Sequence, residues 1–165
     1  MSQIHYKTGD ATRPGTAGRN IIAHICNDVG GWGKGFVLAL SRRWPEPERA
    51  YREWHSEKRP AFELGAVQIV ELGENLFVAN MIAQQGIRPT SAGPPIRYAA
   101  LRSCLEALAK DAKRLDASVH MPRIGCGLAG GTWDQVEPII LETLVAAGIA
   151  VHVYDFESAA SARED

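Results

Sequence analysis

Two glycine-rich stretches carry the residues whose types and spacing could do chemistry. The first, Asn27-Asp28-Val29-Gly30-Gly31-Trp32-Gly33-Lys34-Gly35, follows the apolar run Ile21-Ile22-Ala23-His24-Ile25. The second, Gly125-Cys126-Gly127-Leu128-Ala129-Gly130-Gly131, follows Val119-His120-Met121-Pro122-Arg123-Ile124. Each reads as the turn from a buried strand into a helix. Glycine permits positive φ and lets bare main-chain N–H groups approach an anion, and a helix start adds its dipole. One such turn alone is better read as a tight connection. Two at equivalent strand ends of one sheet read as a ligand site that could hold a diphosphate, and so a nucleotide-like ligand. Neither is a common phosphate motif. The GxGxxG spacing is missing, and Gly33-Lys34 is followed by Gly35 rather than Ser or Thr, so Lys34 is not a P-loop lysine.

Other chemistries find less support. Cys26, Cys104 and Cys126 form no paired spacing, which argues against a disulfide framework or a CxxC metal pattern. No histidine neighbours Cys26 or Cys126 in sequence, and both read as small apolar fillers under tight turns. His24 reads as a satisfied core histidine. The net charge of -1 gives no footprint for bulk nucleic-acid binding, and Arg42-Arg43 and Lys113-Arg114 read as solvated helix ends. No segment has signal-peptide character or the length to span a bilayer, so a cytoplasmic monomer is expected.

The elements that must position the two turns follow from periodicity. Ile4-Lys7 and Asn20-Ile25 read as strands, and Gly33-Arg43 and Glu46-Lys58 as helices. Ala66-Leu72 and Leu76-Ala83 read as a hairpin across Gly73-Glu74-Asn75. Gly86-Pro95 is a long Gly/Pro/Ser loop, a kind that tends to be functional. Ile96-Leu115 is an amphipathic helix, Ser118-Ile124 a strand, Asp134-Ala147 a helix stopped by Gly148, and Ile149-Phe156 the last strand. Alternating strands and helices predict one domain over residues 1–157, an α/β/α sandwich with a mixed sheet, followed by a frayed tail at 158–165.

Thr8-Gly9-Asp10-Ala11-Thr12, His24-Ile25-Cys26-Asn27, Gly33-Lys34-Gly35, Ala79-Asn80-Met81-Ile82 and above all Met121-Pro122-Arg123-Ile124-Gly125-Cys126-Gly127-Leu128 with Trp133 together resemble a macrodomain. The resemblance spans roughly residues 2–156. It is strongest to the branch of the terminal ADP-ribose protein glycohydrolase and the ADP-ribose-1''-phosphate phosphatase. It implies an ADP-ribose ligand. Asp10 would accept the adenine amino group, or else serve only as a turn former, and the Ala11 main chain would read a ring nitrogen. Phe156 or Tyr154 would pack on the base, or else pack in the sheet. Trp32, Gly33, Lys34, Gly35 and Phe36 would take one phosphate and flank the distal ribose. Gly125, Cys126, Gly127, Leu128 and Ala129 would take the other. Neutral amides suffice for a diphosphate, so neither a metal nor a cofactor is expected.

The chain departs from that branch at the reacting end. The glycohydrolases use a Lys nucleophile after the hairpin strand and an Asp in the second glycine turn; the matching positions here are Gln84 and Ala129. Gln cannot attack an anomeric carbon as an amine does, which closes the Lys-adduct route. What remains is a positioned water attacking an oxocarbenium-like centre. Its candidates are Asn27 for the distal ribose hydroxyls, Asp28 as general base, Gln84 or Gln85 to orient water, and Arg88 to cap the site. Each has a plain alternative as a turn or loop residue. The expectation is a mono-ADP-ribosyl hydrolase acting on an acceptor carboxylate. A non-catalytic ADP-ribose reader and an ADP-ribose-1''-phosphate phosphatase stand as alternatives.

Overall fold

The computed structural model describes residues 3–155. In chain order the elements are β1 (Ile4–Thr8), β2 (Arg19–Asn27), α1 (Phe36–Ser41), α2 (Glu46–Glu57), β3 (Val67–Gly73), β4 (Leu76–Gln84), α3 (Tyr98–Leu115), β5 (Ala117–Met121), α4 (Trp133–Ile140) and β6 (Val151–Asp155). The strands form one six-stranded sheet in the order β1-β6-β5-β2-β4-β3. Only the edge hairpin pair β3/β4 is antiparallel. The sheet is therefore mixed, as the hairpin in the sequence predicts.

Alternate residues of the central strands supply two cores. Ile21 and Ala23 of β2, Val119 and Met121 of β5, and Val151 and Val153 of β6 face α3 and α4. Ile22 and Cys26 of β2, with Val78 and Ile82 of β4, face α1 and α2, where Tyr51, Trp54 and Trp32 complete the layer. This is the three-layer sandwich, with a strand face for each helical layer.

Several boundaries differ from the periodicity for local reasons. β5 ends at Met121 because Pro122 has no N–H for the ladder. α1 begins only at Phe36, since Gly35 holds φ +83°, and α3 begins at Tyr98 because Ile96 still bridges to Gln84. The last helix widens at Leu141–Val145 into a π turn. Pro138 withdraws an N–H from that helix, and the Thr143 hydroxyl donates to Ile139 O at 2.6 Å, competing for the ladder.

The topology fixes where a ligand can sit. From β2 the chain runs toward β4 and β3; from the neighbouring β5 it runs the other way, to β6. The carboxyl ends of β2 and β5 are thus the switch point of the sheet, where a crevice must open. The two glycine-rich stretches leave from these two strand ends.

Candidate functional site

The first turn is wound around the Asn27 side chain. Its Oδ1 accepts the N–H groups of Val29 at 3.0 Å and Gly31 at 2.9 Å, and its Nδ2 donates to Gly31 O at 3.0 Å. Tyr51 reaches up from α2: its hydroxyl lies 2.6 Å from Asn27 O and 2.9 Å from Oδ1, and accepts the Gly30 N–H at 3.1 Å. Burial, with Cys26 and Asp28 nearby, pushes the Tyr51 hydroxyl pKa well up against the lowering effect of the Gly30 N–H, so it stays a neutral donor. Asn27 is thus held as the hub of the turn. The Trp32 indole points into the core, where it meets His24 edge-on and donates to Ser41 Oγ at 2.8 Å. Only its main chain is left for the outer surface. Beyond it Gly33, Lys34 and Gly35 are exposed, and among the described residues the main-chain N–H groups of Gly33 to Phe36 donate to no protein acceptor. The half-buried Phe36 ring packs on the helical side, against His24.

The second turn closes on itself through Gly131 N to Gly125 O at 2.7 Å and Gly130 N to Gly127 O at 3.0 Å. Ala129 O accepts Ile96 N at 3.1 Å, which ties the turn to the start of α3. Gly125 holds φ +78°, and a β-carbon there would lie 2.5 Å from Ile96 Cδ1, so only glycine fits without displacement. The N–H groups of Gly127, Leu128 and Ala129 have no acceptor among the described residues. Leu128 is 62% exposed and Ala129 is buried. Cys126 is half-buried with its thiol directed to Ile124 O; burial raises its pKa, and that of Cys26 further, so both stay protonated. Among the described residues no group of three or more His, Cys, Asp or Glu could hold a metal ion.

The two turns converge. A β-carbon on Gly35 would lie 3.3 Å from Leu128 Cδ1, which brings the turn that carries one row of unpaired amides against the turn that carries the other. Such rows are neutral, directional anion ligands.

At the carboxyl ends of β2 and β4 the structure gathers Asn27, Asp28 and Gln84. Asn27 and Gln84 are register partners on β2 and β4. Asp28 N donates to Gln84 O at 3.0 Å, and Asp28 Oδ1 accepts Gly86 N at 2.8 Å. Gln84 Nε2 donates to Gly86 O at 3.1 Å. Asp28 and Gln84 thereby fasten the start of the 86–95 loop. Gln85 is exposed and its Oε1 accepts from Arg97 Nε at 2.9 Å; Arg88 is exposed in the loop itself.

Just after β1, Asp10 makes an Asx turn. Its Oδ1 accepts Thr12 N at 2.8 Å and Thr12 Oγ1 at 2.7 Å, which leaves Oδ2 as its open acceptor. Arg43 Nε donates to Thr12 Oγ1 at 2.9 Å, so this arginine is a tether and not a solvated helix end. Ala11 is buried beside them. Tyr154 lies under Gly9 with its hydroxyl 2.7 Å from His120 Nδ1, which places it in the sheet; Phe156 lies outside the described residues. His24 is satisfied at one nitrogen only. Nε2 meets Asn80 Oδ1 at 2.5 Å while Nδ1 is buried without a partner. The roles of Tyr51 and Arg43 escape the sequence reading because their partners lie on other elements.

A family profile described as Macro domain matches residues 23–140. The chain belongs to the macrodomain family. Among curated relatives, mouse chromodomain-helicase-DNA-binding protein 1-like is 33% identical over 94% of the chain, which spans only 18% of that relative. The ADP-ribose 1''-phosphate phosphatase of Lodderomyces elongisporus is 27% identical over 92% of this chain and 99% of its own. The DNA ADP-ribosyl glycohydrolase of Mycobacterium tuberculosis is 30% identical over 81% of this chain and 36% of its own. Among solved structures, a protein of unknown function from Bacteroides thetaiotaomicron superposes with TM-score 0.91 at 56% identity, covering 94% of this chain and 99% of its own. A macrodomain protein from Streptomyces coelicolor gives 0.83 at 54%, covering 93% and 99%. The macrodomain of Mycobacterium tuberculosis DarG gives 0.76 at 26%, covering 93% and 98%. This macrodomain thus stands among hydrolase-type relatives.

Proposed function

We propose that this macrodomain binds ADP-ribose and hydrolyses mono-ADP-ribosyl groups from acceptor carboxylates. The observation that carries the binding half is the convergence of two unpaired amide rows, Gly33 to Phe36 and Gly127 to Ala129, at the sheet's switch point. A pyrophosphate is the anion whose two charges and length suit two such rows. Asp10 Oδ2 then meets the adenine amino group, and the distal ribose lies toward Asn27, Asp28 and Gln84. The macrodomain relatives that carry ADP-ribose chemistry in their names support the ligand.

The reacting end favours an acceptor that needs little help. Water attacks C1'' of the distal ribose, the bond from C1'' to the acceptor oxygen breaks, and the acceptor leaves as a carboxylate. A leaving group with a pKa near 4 departs without a general acid. The proton of the attacking water passes to the second oxygen of Asp28, whose first oxygen is held by Gly86 N. Gln84 and the substrate's own phosphate steady the water.

A reader without turnover is the second reading. It is favoured by the buried methyl of Ala129 and by Gln84 where the glycohydrolases carry their Asp and Lys. One experiment decides between them. Protein carrying ADP-ribose on glutamate is incubated with wild type and with Asp28→Asn, with the 1''-phosphate ester in parallel. Release of ADP-ribose by wild type, lost in Asp28→Asn, supports the hydrolase. Tight binding with no release at saturating protein supports the reader, and release from the phosphate ester alone the phosphatase.

A further inference from the structure

Arg123 stands outside the proposed chemistry, yet it is the most heavily engaged cation among the described residues. Its guanidinium donates to both oxygens of Asp155, Nε to Oδ1 at 2.7 Å and Nη2 to Oδ2 at 3.0 Å. Its central carbon lies 5.2 Å from the Tyr6 ring centre and 5.1 Å from that of Trp133. Trp133 Nε1 donates to the Tyr6 hydroxyl at 2.9 Å, and that hydroxyl donates to Glu137. A planar fork can pair with a carboxylate and stack on rings at once; a lysine ammonium cannot. Both side chains of the ion pair are partly exposed, at 39% and 47%, so the pair is a weak source of global stability.

What it joins is more telling. Arg123 and Trp133 flank residues 124–132, the whole of the second glycine turn, and Arg123 O accepts Cys126 N at 3.4 Å. Asp155 ends β6, and its main-chain oxygen accepts Gly9 N at 2.7 Å, next to Asp10. One guanidinium therefore closes the neck of the second turn and ties it to the end of β6, which accepts the Gly9 N–H beside the Asp10 turn. The N–H groups of Gly127 to Ala129 have no protein acceptor, so their direction rests on the turn's own bonds, Gly130 N to Gly127 O and Ile96 N to Ala129 O, and on how the ends of the loop are held.

We infer that Arg123 is a positioning residue, clamped by Trp133, Tyr6 and Asp155 so that the Gly127–Ala129 amides point at the anion before it arrives. This rests on the reading of that turn as one bed of the pyrophosphate. Ordering the bed in advance removes a cost otherwise met on binding.

The test compares wild type with Arg123→Gln and Arg123→Lys. Calorimetry uses ADP-ribose, ADP and adenosine, and 15N relaxation is measured on the ligand-free protein. Both variants lose about tenfold in affinity for ADP-ribose and ADP but stay within about twofold for adenosine. The order parameters of Gly127 to Ala129 fall while those of the central strands hold. Should either variant fail to fold, Trp133→Phe, which loosens the clamp from the other end of the loop, must give the same pattern. Unchanged ADP affinity with unchanged order parameters overturns the inference, as does an equal loss for adenosine and ADP. A wild type that binds no ADP-ribose overturns the ligand reading instead, and the relaxation data still decide whether Arg123 orders the turn.

Discussion

Gly35 and Leu128 meet across the mouth of the sheet: a β-carbon on the first would stand 3.3 Å from Cδ1 of the second. They come from turns far apart in sequence and adjacent in space, because β2 and β5 pair in parallel. The Leu128 side chain is exposed and leans from one turn onto the other. An apolar group held at the surface in this way contributes little to the fold, and its natural role is to cover what lies between the turns.

Leu128→Ala separates those two roles. Its stability stays within about 0.5 kcal/mol of wild type, as for most exposed positions. Its ADP-ribose affinity falls by about three- to tenfold, because the cover over the pyrophosphate is lost. Thermal unfolding and calorimetry measure both. A destabilised variant with normal affinity would make Leu128 a packing residue only.

Tyr51→Phe tests how the first turn is held. The change strips the hydroxyl that meets Asn27 O and the Gly30 N–H, and it leaves both without that partner in a half-buried turn. The expected cost is about 1–3 kcal/mol, read from urea unfolding. ADP-ribose binding weakens with it, since the Gly33–Phe36 amides follow directly from this turn. A loss under about 0.5 kcal/mol would show that the hydroxyl is dispensable.

Acid should unfold the protein through its buried histidines. Burial holds His24 down at about 4 and His152 at about 4, and burial with the neighbouring His152 and Lys7 holds His120 at about 3. Unfolded, each takes its proton near pH 6.5. The unfolded chain therefore binds more protons between pH 6.5 and about 4, and stability falls as the pH drops through that window. His24 alone contributes on the order of 3 kcal/mol of this fall. His5, His152 and His120 are stacked in register across β1, β6 and β5, so charging one opposes charging the next. Urea unfolding at pH 7, 6 and 5 checks the slope; a flat profile would mean that these rings are solvated.

Much of this was legible in the residues. Alternation and helical spacing show the layers, and the position of two glycine runs after two apolar runs points to the candidate site. Local patterns could not show that β2 and β5 are neighbours, which only the folded sheet decides. The sequence does not show that Asn27 also holds its own turn, because its hydrogen bonds to Gly31 and Tyr51 are set by the folded turn and by α2. The sequence places Trp32 in the ligand-facing turn without showing that its indole turns inward to Ser41 and His24, which leaves only its main chain for the outer surface. Arg43, Thr12 and Arg123 act across elements, and no spacing within one segment announces such a tether. The helix after Trp133 runs close to the span its spacing predicts, but its widening at Leu141–Val145 is not legible because the effects of Pro138 and Thr143 on the ladder accumulate only in the folded helix.

The central claim is that the two glycine turns grip one pyrophosphate. Its most direct measurement is a crystal structure of the protein soaked with ADP-ribose. The account predicts pyrophosphate oxygens within about 3 Å of the Gly33–Phe36 and Gly127–Ala129 amides, with the base at Asp10 and the distal ribose beside Asp28 and Gln84. Density for the nucleotide elsewhere, or both turns left without it at saturating ligand, would contradict the account.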